Sequence, residues 1–165
     1  MVSTCVPLPE FCQIPIVRSL RDYPVYRLGP EPSNRIAILC DPHSANSSVT
    51  ICLEIFDPGA CTPTHQHQLA IEMFFVLSGT AKAFCDGKEV NLLAGASILV
   101  PSAGIHHLRN GGAERLYVLS VMIPNENFVE HIKTSVPSTL DDLDLAILGS
   151  KLPGRSGKAF DHECC

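Results

Sequence analysis

The chain has 165 residues, a length typical of one domain with one core, and its 45% hydrophobic and 18% charged residues are ordinary for a soluble globular protein. Its net charge of −5 argues against nucleic acid as a partner, because phosphate binding depends on clustered Lys and Arg. No stretch approaches the roughly 20 apolar residues of a membrane helix, and the first 13 residues include no basic region typical of a secretory signal, so we predict a cytoplasmic protein.

The elements predicted before residue 126 are short β-strands. Runs rich in β-branched and aromatic residues alternate with Gly, Pro and Asp at regular spacing, which is typical of an all-β sandwich or barrel. Asp86-Gly87 lies between two of the runs and predicts a tight type I′ hairpin, because both central residues of that turn need positive φ. The clearest runs are Ile36–Cys40, Val49–Phe56, Ile71–Leu77, Thr80–Cys85, Lys88–Leu93, Ser97–Val100 and Arg115–Ile123.

The C-terminal part has a helical pattern instead. A short helix is predicted around residues 127–134, and a second one ends near Gly149. We expect both helices to cover an open side of the β-structure, whereas the Gly-, Lys- and Ser-rich segment after Ser150 predicts disorder. The second helix has candidate N-caps followed by one apolar face, in the order Ser138 or Thr139, then Leu140, Leu143 and Ile147.

Four of the seven histidines lie in two short stretches, and the first stretch carries His65 and His67. Because residues i and i+2 of a strand point the same way, these two imidazoles stand side by side and form an edge that suits a transition metal. Glu72 follows His67 by five residues and would face the opposite side of a continuous strand. It joins the histidines only if a turn or bulge lies within residues 68–70.

The glycines and the proline around these histidines occur at the spacing of two motifs. The first motif reads Gly59, five residues, His65-x-His67, four residues, Glu72, six residues and Gly79. The second reads Gly95, five residues, Pro101, then His106 and Asn110. With both motifs in order, residues 48–124 resemble a domain of the cupin superfamily, of the single-domain, type 2-like kind.

The resemblance implies an all-β double-stranded β-helix, the cupin or jelly-roll barrel, with short C-terminal helices. By position it implies one divalent transition metal (Fe, Mn, Ni, Cu or Zn) near the barrel mouth, on His65, His67, Glu72 and His106. We divide the chain accordingly into an N-terminal arm with the first strands (1–47), the cupin barrel with the metal site (48–124), C-terminal helices (125–150) and a flexible tail (151–165).

The second motif leaves a choice between His106 and His107 as the fourth ligand. Counting from Pro101 and Asn110 favours His106, whereas counting from Gly104, which stands one position later than the usual glycine, favours His107. Adjacent residues of a strand face opposite ways, so only one of the two imidazoles reaches the metal. Because two motif positions, Pro101 and Asn110, favour His106 and only Gly104 favours His107, we predict His106 as the fourth ligand.

The function that the resemblance implies is that of a metal-dependent oxidoreductase, a dioxygenase acting on a small oxygen-chelating substrate. Glu72 is then a ligand and also a candidate catalytic base. Its presence disfavours the thiol dioxygenases of the superfamily, which normally lack this acid. The alternatives are a metal-dependent isomerase, lyase or decarboxylase, and a non-enzymatic cupin that binds a small molecule.

Partners and core are less constrained by the sequence. Single-domain cupins commonly dimerise, so we expect a homodimer with residues 14–28 as an exchanging arm, a small-molecule substrate, and neither nucleic acid nor membrane as partner.

Cys40, Cys52 and Cys85 lie in apolar strands and are interpreted as buried thiols, whereas the state of Cys164-Cys165 is left open. Five residues are assigned either to the barrel core or to the wall of a substrate pocket, namely Met73, Phe74, Phe75, Tyr117 and Met122.

Overall fold

A computed structural model describes residues 16–30, 33–45 and 47–150. The predicted flexible tail and Cys164-Cys165 lie outside these residues. The strands are β1 (Val25–Leu28), β2 (Asn34–Cys40), β3 (Thr50–Phe56), β4 (Ile71–Ser78), β5 (Thr80–Cys85), β6 (Lys88–Leu93), β7 (Ser97–Val100), β8 (His106–Asn110), β9 (Leu116–Ile123) and β10 (Val136–Ser138). The helices are a 3₁₀ turn (Leu20–Asp22), α1 (Pro42–Ala45), α2 (Phe128–Lys133) and α3 (Asp142–Ser150).

The strands form two antiparallel sheets. The larger sheet has the order β10-β1-β2-β3-β9-β4-β7, and the smaller has the order β6-β5-β8. Apolar side chains of both sheets meet in one core, in which Phe56 and Phe74 of the larger sheet join Ala83 and Leu108 of the smaller. This arrangement confirms the predicted all-β jelly-roll barrel with short C-terminal helices.

The period of two along each strand separates the barrel interior from the outer faces. In β4, Phe74 is buried inside the barrel, whereas Met73 and Phe75 are half-buried on the other face. Met122 is buried as well. Tyr117 is also fully buried, but it packs in a second apolar cluster with Leu140 and Ile147, beside α3. Of the five residues assigned to core or pocket, only Phe74 lines the cavity of about 790 Å³ that is described with the metal centre below.

The predicted start of the second C-terminal helix is wrong. Ser138 belongs to β10, which pairs with β1 through Val25, so its backbone takes part in the sheet and Ser138 does not cap a helix. Asp141 takes the capping position instead, because its carboxylate accepts a hydrogen bond from the Asp144 amide at 3.0 Å. Leu143 is half exposed and does not belong to the buried face of α3.

Two other local predictions have clear outcomes. Asp86 and Gly87 adopt φ values of 46° and 80° between β5 and β6, as the type I′ turn requires. The last four residues of the predicted exchanging arm form β1, which pairs with β2 and β10 of its own chain. Among the described residues, no helix is both long and apolar enough to span a membrane.

Candidate metal centre

Four side chains converge at one end of the barrel, and they are the four that the motifs predict. Each offers one ligand atom, and these atoms all lie within 4.8 Å of one another. Within the described part of the chain this is the one such group of His, Cys, Asp or Glu residues. The cluster, called here the His₃Glu cluster, consists of His65, His67, Glu72 and His106.

Backbone pairing brings the two motifs together. His65 and His106 form an isolated antiparallel bridge, in which each amide donates to the other's carbonyl at 3.0 Å and 2.8 Å. After His67 the chain bends at Gln68 and Leu69, so Glu72 enters β4 with its side chain buried inside the barrel. The turn that Glu72 needs in order to join the histidines is therefore present.

The imidazoles are held in an orientation that suits a metal. The Nδ1 atoms of His65 and His106 donate hydrogen bonds to the carbonyls of Pro63 at 2.8 Å and Gly104 at 2.9 Å. A proton fixed on Nδ1 leaves Nε2 as the atom that can coordinate a cation, which is the usual arrangement of metal-ligating histidines. The donor set therefore fits a divalent transition metal.

Glu72 lies between two of the imidazoles. Its Oε2 atom is 3.0 Å from His106 Nε2 and 3.2 Å from His67 Nε2. Burial raises the pKa of the Glu72 carboxyl, but the contacts with His106 and His67 outweigh burial, and the net pKa is lower than usual. Glu72 is thus a carboxylate at neutral pH, the form that binds a metal.

The adjacent histidines His106 and His107 occupy different environments. His106 is 2% exposed and faces the interior. The ring of His107 stacks on Phe84 with centroids 5.0 Å apart, and its Nδ1 is 3.3 Å from the hydroxyl of Thr64. Of His106 and His107, only His106 contacts Glu72, because adjacent residues of a strand point to opposite faces.

Protonation also differs among the histidines of the cluster. Burial lowers the pKa of the His65 imidazole. Burial acts in the same direction on His106, but the contact with Glu72 and the carbonyl of Gly104 outweigh it, and the net pKa of His106 is raised. His65 is therefore neutral and ready to coordinate at neutral pH, whereas a cation competes with a proton more strongly at His106 than at His65.

A cavity of about 790 Å³ opens beside the cluster. His65, His67 and Glu72 form part of its wall. This volume is in the range of small-molecule sites. Most of the remaining wall is apolar or aromatic and comes from the end of β1 and the turn after it, from β2 and β4, from the loop before His65 and from α2, including Leu28, Pro30, Ile36, Pro63, Phe74 and Phe128.

Three polar residues of this site carried no prediction. Asn34 and Glu54 line the cavity from β2 and β3, and Glu126 lies near His67. Burial, followed by the charge of Glu72, raises the pKa of Glu54 to about 7. The sequence did contain a sign of a special role for Glu54, because it is the single charged residue within the apolar run Thr50–Phe56.

Glu126 had no readable signal, because its position depends on an unusual turn after β9. Glu126 and Asn127 have φ values of 46° and 63°, a region that residues other than glycine rarely adopt. The turn lets Glu126 Oε1 accept a hydrogen bond from the Leu69 amide at 2.7 Å, while Oε2 lies 3.8 Å from His67 Nδ1. Glu126 therefore supports the bend between His67 and Glu72.

Other polar side chains flank the cluster or line the cavity. Gln66 and Gln68 are exposed, and no cysteine takes part in the His₃Glu cluster. Cys61 and His131 are exposed side chains at the cavity. The described cysteines are free thiols, of which Cys52 is buried, Cys40 and Cys85 are half-buried and Cys61 is exposed.

Comparisons with known proteins agree with the barrel. The family model of the cupin domain matches residues 52–122. The chain is 29% identical over 118 residues to auxin-binding protein 1 of Arabidopsis thaliana, a match that covers 66% of this chain and 59% of that protein. It is 38% identical over 64 residues to the alginate biosynthesis protein AlgA of Pseudomonas fluorescens, covering 39% of this chain and 13% of that protein.

The chain thus spans less than two thirds of the length of these curated relatives. Among solved structures, a predicted oxalate decarboxylase of Thermotoga maritima superposes with a TM-score of 0.62 at 22% identity, over 66% of this chain and 99% of that chain. At this identity the similarity shows the fold alone. The matching family model identifies residues 52–122 of this chain as a domain of the cupin superfamily, and the barrel fold agrees with it.

Proposed function

We propose that this protein is a metal-dependent cupin enzyme, an oxidoreductase of the dioxygenase type that acts on a small oxygen-chelating substrate. One divalent transition metal (Fe, Mn, Ni, Cu or Zn) binds to His65, His67, Glu72 and His106. The observation that carries the proposal is the convergence of these four ligand atoms within 4.8 Å, beside a cavity of about 790 Å³.

A divalent metal held by these four residues would supply Lewis-acid or redox activation of substrate oxygens or of dioxygen. The chain's own residues prepare the site. The carbonyls of Pro63 and Gly104 hold two imidazoles with Nε2 turned inward. The apolar walls keep water from the substrate and strengthen electrostatic interactions inside the cavity. Glu72 is also proposed as the base, since a carboxylate at the site can accept a substrate proton.

The test begins with protein purified without oxygen and with a measurement of its metal content. Oxygen consumption is then recorded over a panel of diketones, flavonols and small carboxylic acids, with the iron, manganese, nickel and copper forms. We expect stoichiometric metal and oxygen uptake with at least one chelating substrate. Stoichiometric metal with turnover but without oxygen uptake would identify a lyase, isomerase or decarboxylase, and would contradict the dioxygenase proposal.

A second candidate is a non-enzymatic protein that binds a small molecule through its metal. It is favoured by the match to auxin-binding protein 1, whose name describes a small-molecule binder, and by the mostly apolar cavity. Calorimetric titration of the metal-loaded protein with aromatic carboxylic acids separates the two functions. Saturable binding without chemical change of any bound compound would favour this candidate over the enzyme.

We also propose that the protein is a homodimer in the cytoplasm, with a small molecule as substrate and without nucleic acid as a partner. The proposal rests on the dimers common among single-domain cupins and on the net charge of −5. Light scattering coupled to size-exclusion chromatography gives the mass in solution. A mass of about one chain across the micromolar range would contradict the dimer.

A further inference from the structure

Two polar residues, Asn34 and Glu54, lie in the otherwise mostly apolar wall of the cavity. Both precede the two histidine motifs in the sequence. Asn34 and Glu54 lie on the neighbouring strands β2 and β3, and both line the cavity. Ile36 pairs with Glu54 across the two strands, so Asn34, two residues earlier, presents its side chain on the same face. Both side chains are almost completely buried, with exposures of 4% and 2%.

The hydrogen bonding of this pair is incomplete. Asn34 Nδ2 donates to Glu54 Oε2 at 3.2 Å, but no described residue donates to the buried Asn34 Oδ1. Turning the amide over would exchange its two ends and leave the other end without an acceptor. A buried polar atom without a partner costs free energy, so folding alone does not explain why this pair stands in an apolar wall.

We propose that Asn34 and Glu54 form a polar subsite that hydrogen-bonds a hydroxyl group of the ligand bound at the His₃Glu cluster. A hydroxyl both donates and accepts, and can therefore complete the hydrogen bonding of an amide and a carboxyl group together. The inference deepens the proposed function and rests on it, because the chelating end of the same ligand must be held at the metal.

The rest of the wall narrows the chemical class of this ligand. Ile36, Phe74 and Phe128 lie around the polar pair and the cluster, and they suit an apolar or aromatic body. The structure therefore assigns a ligand with three parts, which are a chelating oxygen group, an apolar or aromatic middle and a hydroxyl group. In a largely apolar site, a buried polar group discriminates strongly against analogues that lack its partner.

The test uses metal-loaded protein and matched acids as probes. These are benzoate and phenylacetate, their 3- and 4-hydroxy derivatives, and the corresponding methoxy compounds, which cannot donate. Calorimetry should show that one hydroxylated acid binds at least about tenfold more tightly than its parent and its methoxy analogue. Binding without any hydroxyl preference, or no binding by any of these acids, overturns the inference and leaves the proposed function intact, because the latter is tested by metal content and oxygen uptake.

Variants connect the preference to the pair. Asn34→Leu and Glu54→Leu should each abolish the hydroxyl preference and leave the affinity for the parent acid and the metal content within about twofold. Glu54→Gln, which keeps the hydrogen-bonding groups, should retain the preference. The matched control is Ser135→Ala, which removes another polar side chain of the same cavity and should change nothing.

Thermal stability distinguishes a role of Asn34 and Glu54 in folding from a role in ligand binding. The double variant Asn34→Leu/Glu54→Leu removes both polar groups together, so neither is left unpaired. The buried hydroxyl of Ser120, which also hydrogen-bonds Glu54, loses this partner, so we expect at most a small fall in melting temperature while the hydroxyl preference disappears. A large fall in melting temperature for this double variant, with the preference retained in the single leucine variants, would assign the pair to folding and overturn the inference.

Discussion

The Nε2 atom of His106 lies 3.0 Å from Oε2 of Glu72, although 34 residues separate the two in the chain. This contact joins the second histidine motif to the first and places both side chains, each 2% exposed, in the interior. His107, one residue later, points to the opposite side and stacks on Phe84. The contact with Glu72 therefore distinguishes His106 from its neighbour His107, although both are histidines of the same short stretch.

We predict that His106→Ala abolishes stoichiometric metal binding, while His107→Ala retains it. Removing a ligand should weaken metal affinity by more than about 100-fold, because the loss of a supporting group alone costs about 10- to 100-fold. Metal content after desalting, and competition with a chromophoric chelator, measure the effect. A normal metal content in His106→Ala, with loss in His107→Ala, would reverse the assignment.

Glu126 should support the metal site without binding the metal. Its carboxylate accepts the Leu69 amide at 2.7 Å and lies 3.8 Å from His67 Nδ1, so Glu126→Ala releases the bend that carries His67. We expect metal affinity to fall about 10- to 100-fold in the same chelator competition. Glu114→Gln, at an exposed acid, is the control. An unchanged affinity in Glu126→Ala would contradict this role.

Glu54 should make the metal-free protein less stable as pH rises. Its pKa is about 7 in the folded protein against an ordinary 4.5, so the folded state holds a proton that the unfolded state has lost between these values. The unfolding free energy then falls as pH rises through this window, by about 3 kcal/mol at 1.36 kcal/mol per pKa unit. Above about pH 7, the whole of this contribution to the unfolding free energy is lost.

Glu54→Gln should remove this part of the pH dependence and make the variant more stable than the wild type at pH 8. Urea unfolding in the presence of a metal chelator, at pH 4.5 and at pH 8, measures the difference. Glu89→Gln, at an exposed acid in β6, should follow the wild type. Parallel pH profiles of wild type and Glu54→Gln would be inconsistent with a proton held by Glu54.

Asp144 should be the anchor of α3. It is fully buried and accepts from Arg35 at 2.6 Å and 3.1 Å, from Arg115 at 3.0 Å and from the Tyr117 hydroxyl at 3.0 Å. Asp144→Ala leaves the 7%-exposed Arg35 side chain without this partner, and breaking a buried pair in this way costs about 3–5 kcal/mol.

Chemical denaturation measures this loss, and limited proteolysis after residue 138 should report the release of α3. The control is Asp142→Ala in the same helix, at an exposed side chain. A loss below about 1 kcal/mol for Asp144→Ala would show that the apolar contacts of Leu140 and Ile147 hold α3 on the sheet without the ion pairs.

Much of the barrel was predictable because its signals are local. The strand runs and the Asp86-Gly87 turn depend on neighbouring residues only. The start of α3 was not predictable in this way. Ser138 is a good cap in isolation, but pairing of β10 with β1 joins residues more than 100 positions apart and overrides the local preference.

The sequence by itself determined the barrel class and three of the four converging residues, His65, His67 and Glu72, because the spacing of the two motifs resembles that of the cupin superfamily. Only the tertiary structure decided between His106 and His107, and only it brought Asn34, Glu54 and Glu126 to the same cavity. The physical reason is that β-sheet partners are distant in the chain. Which side chains share a buried space depends on strand register and turn geometry, and no local pattern records either of them.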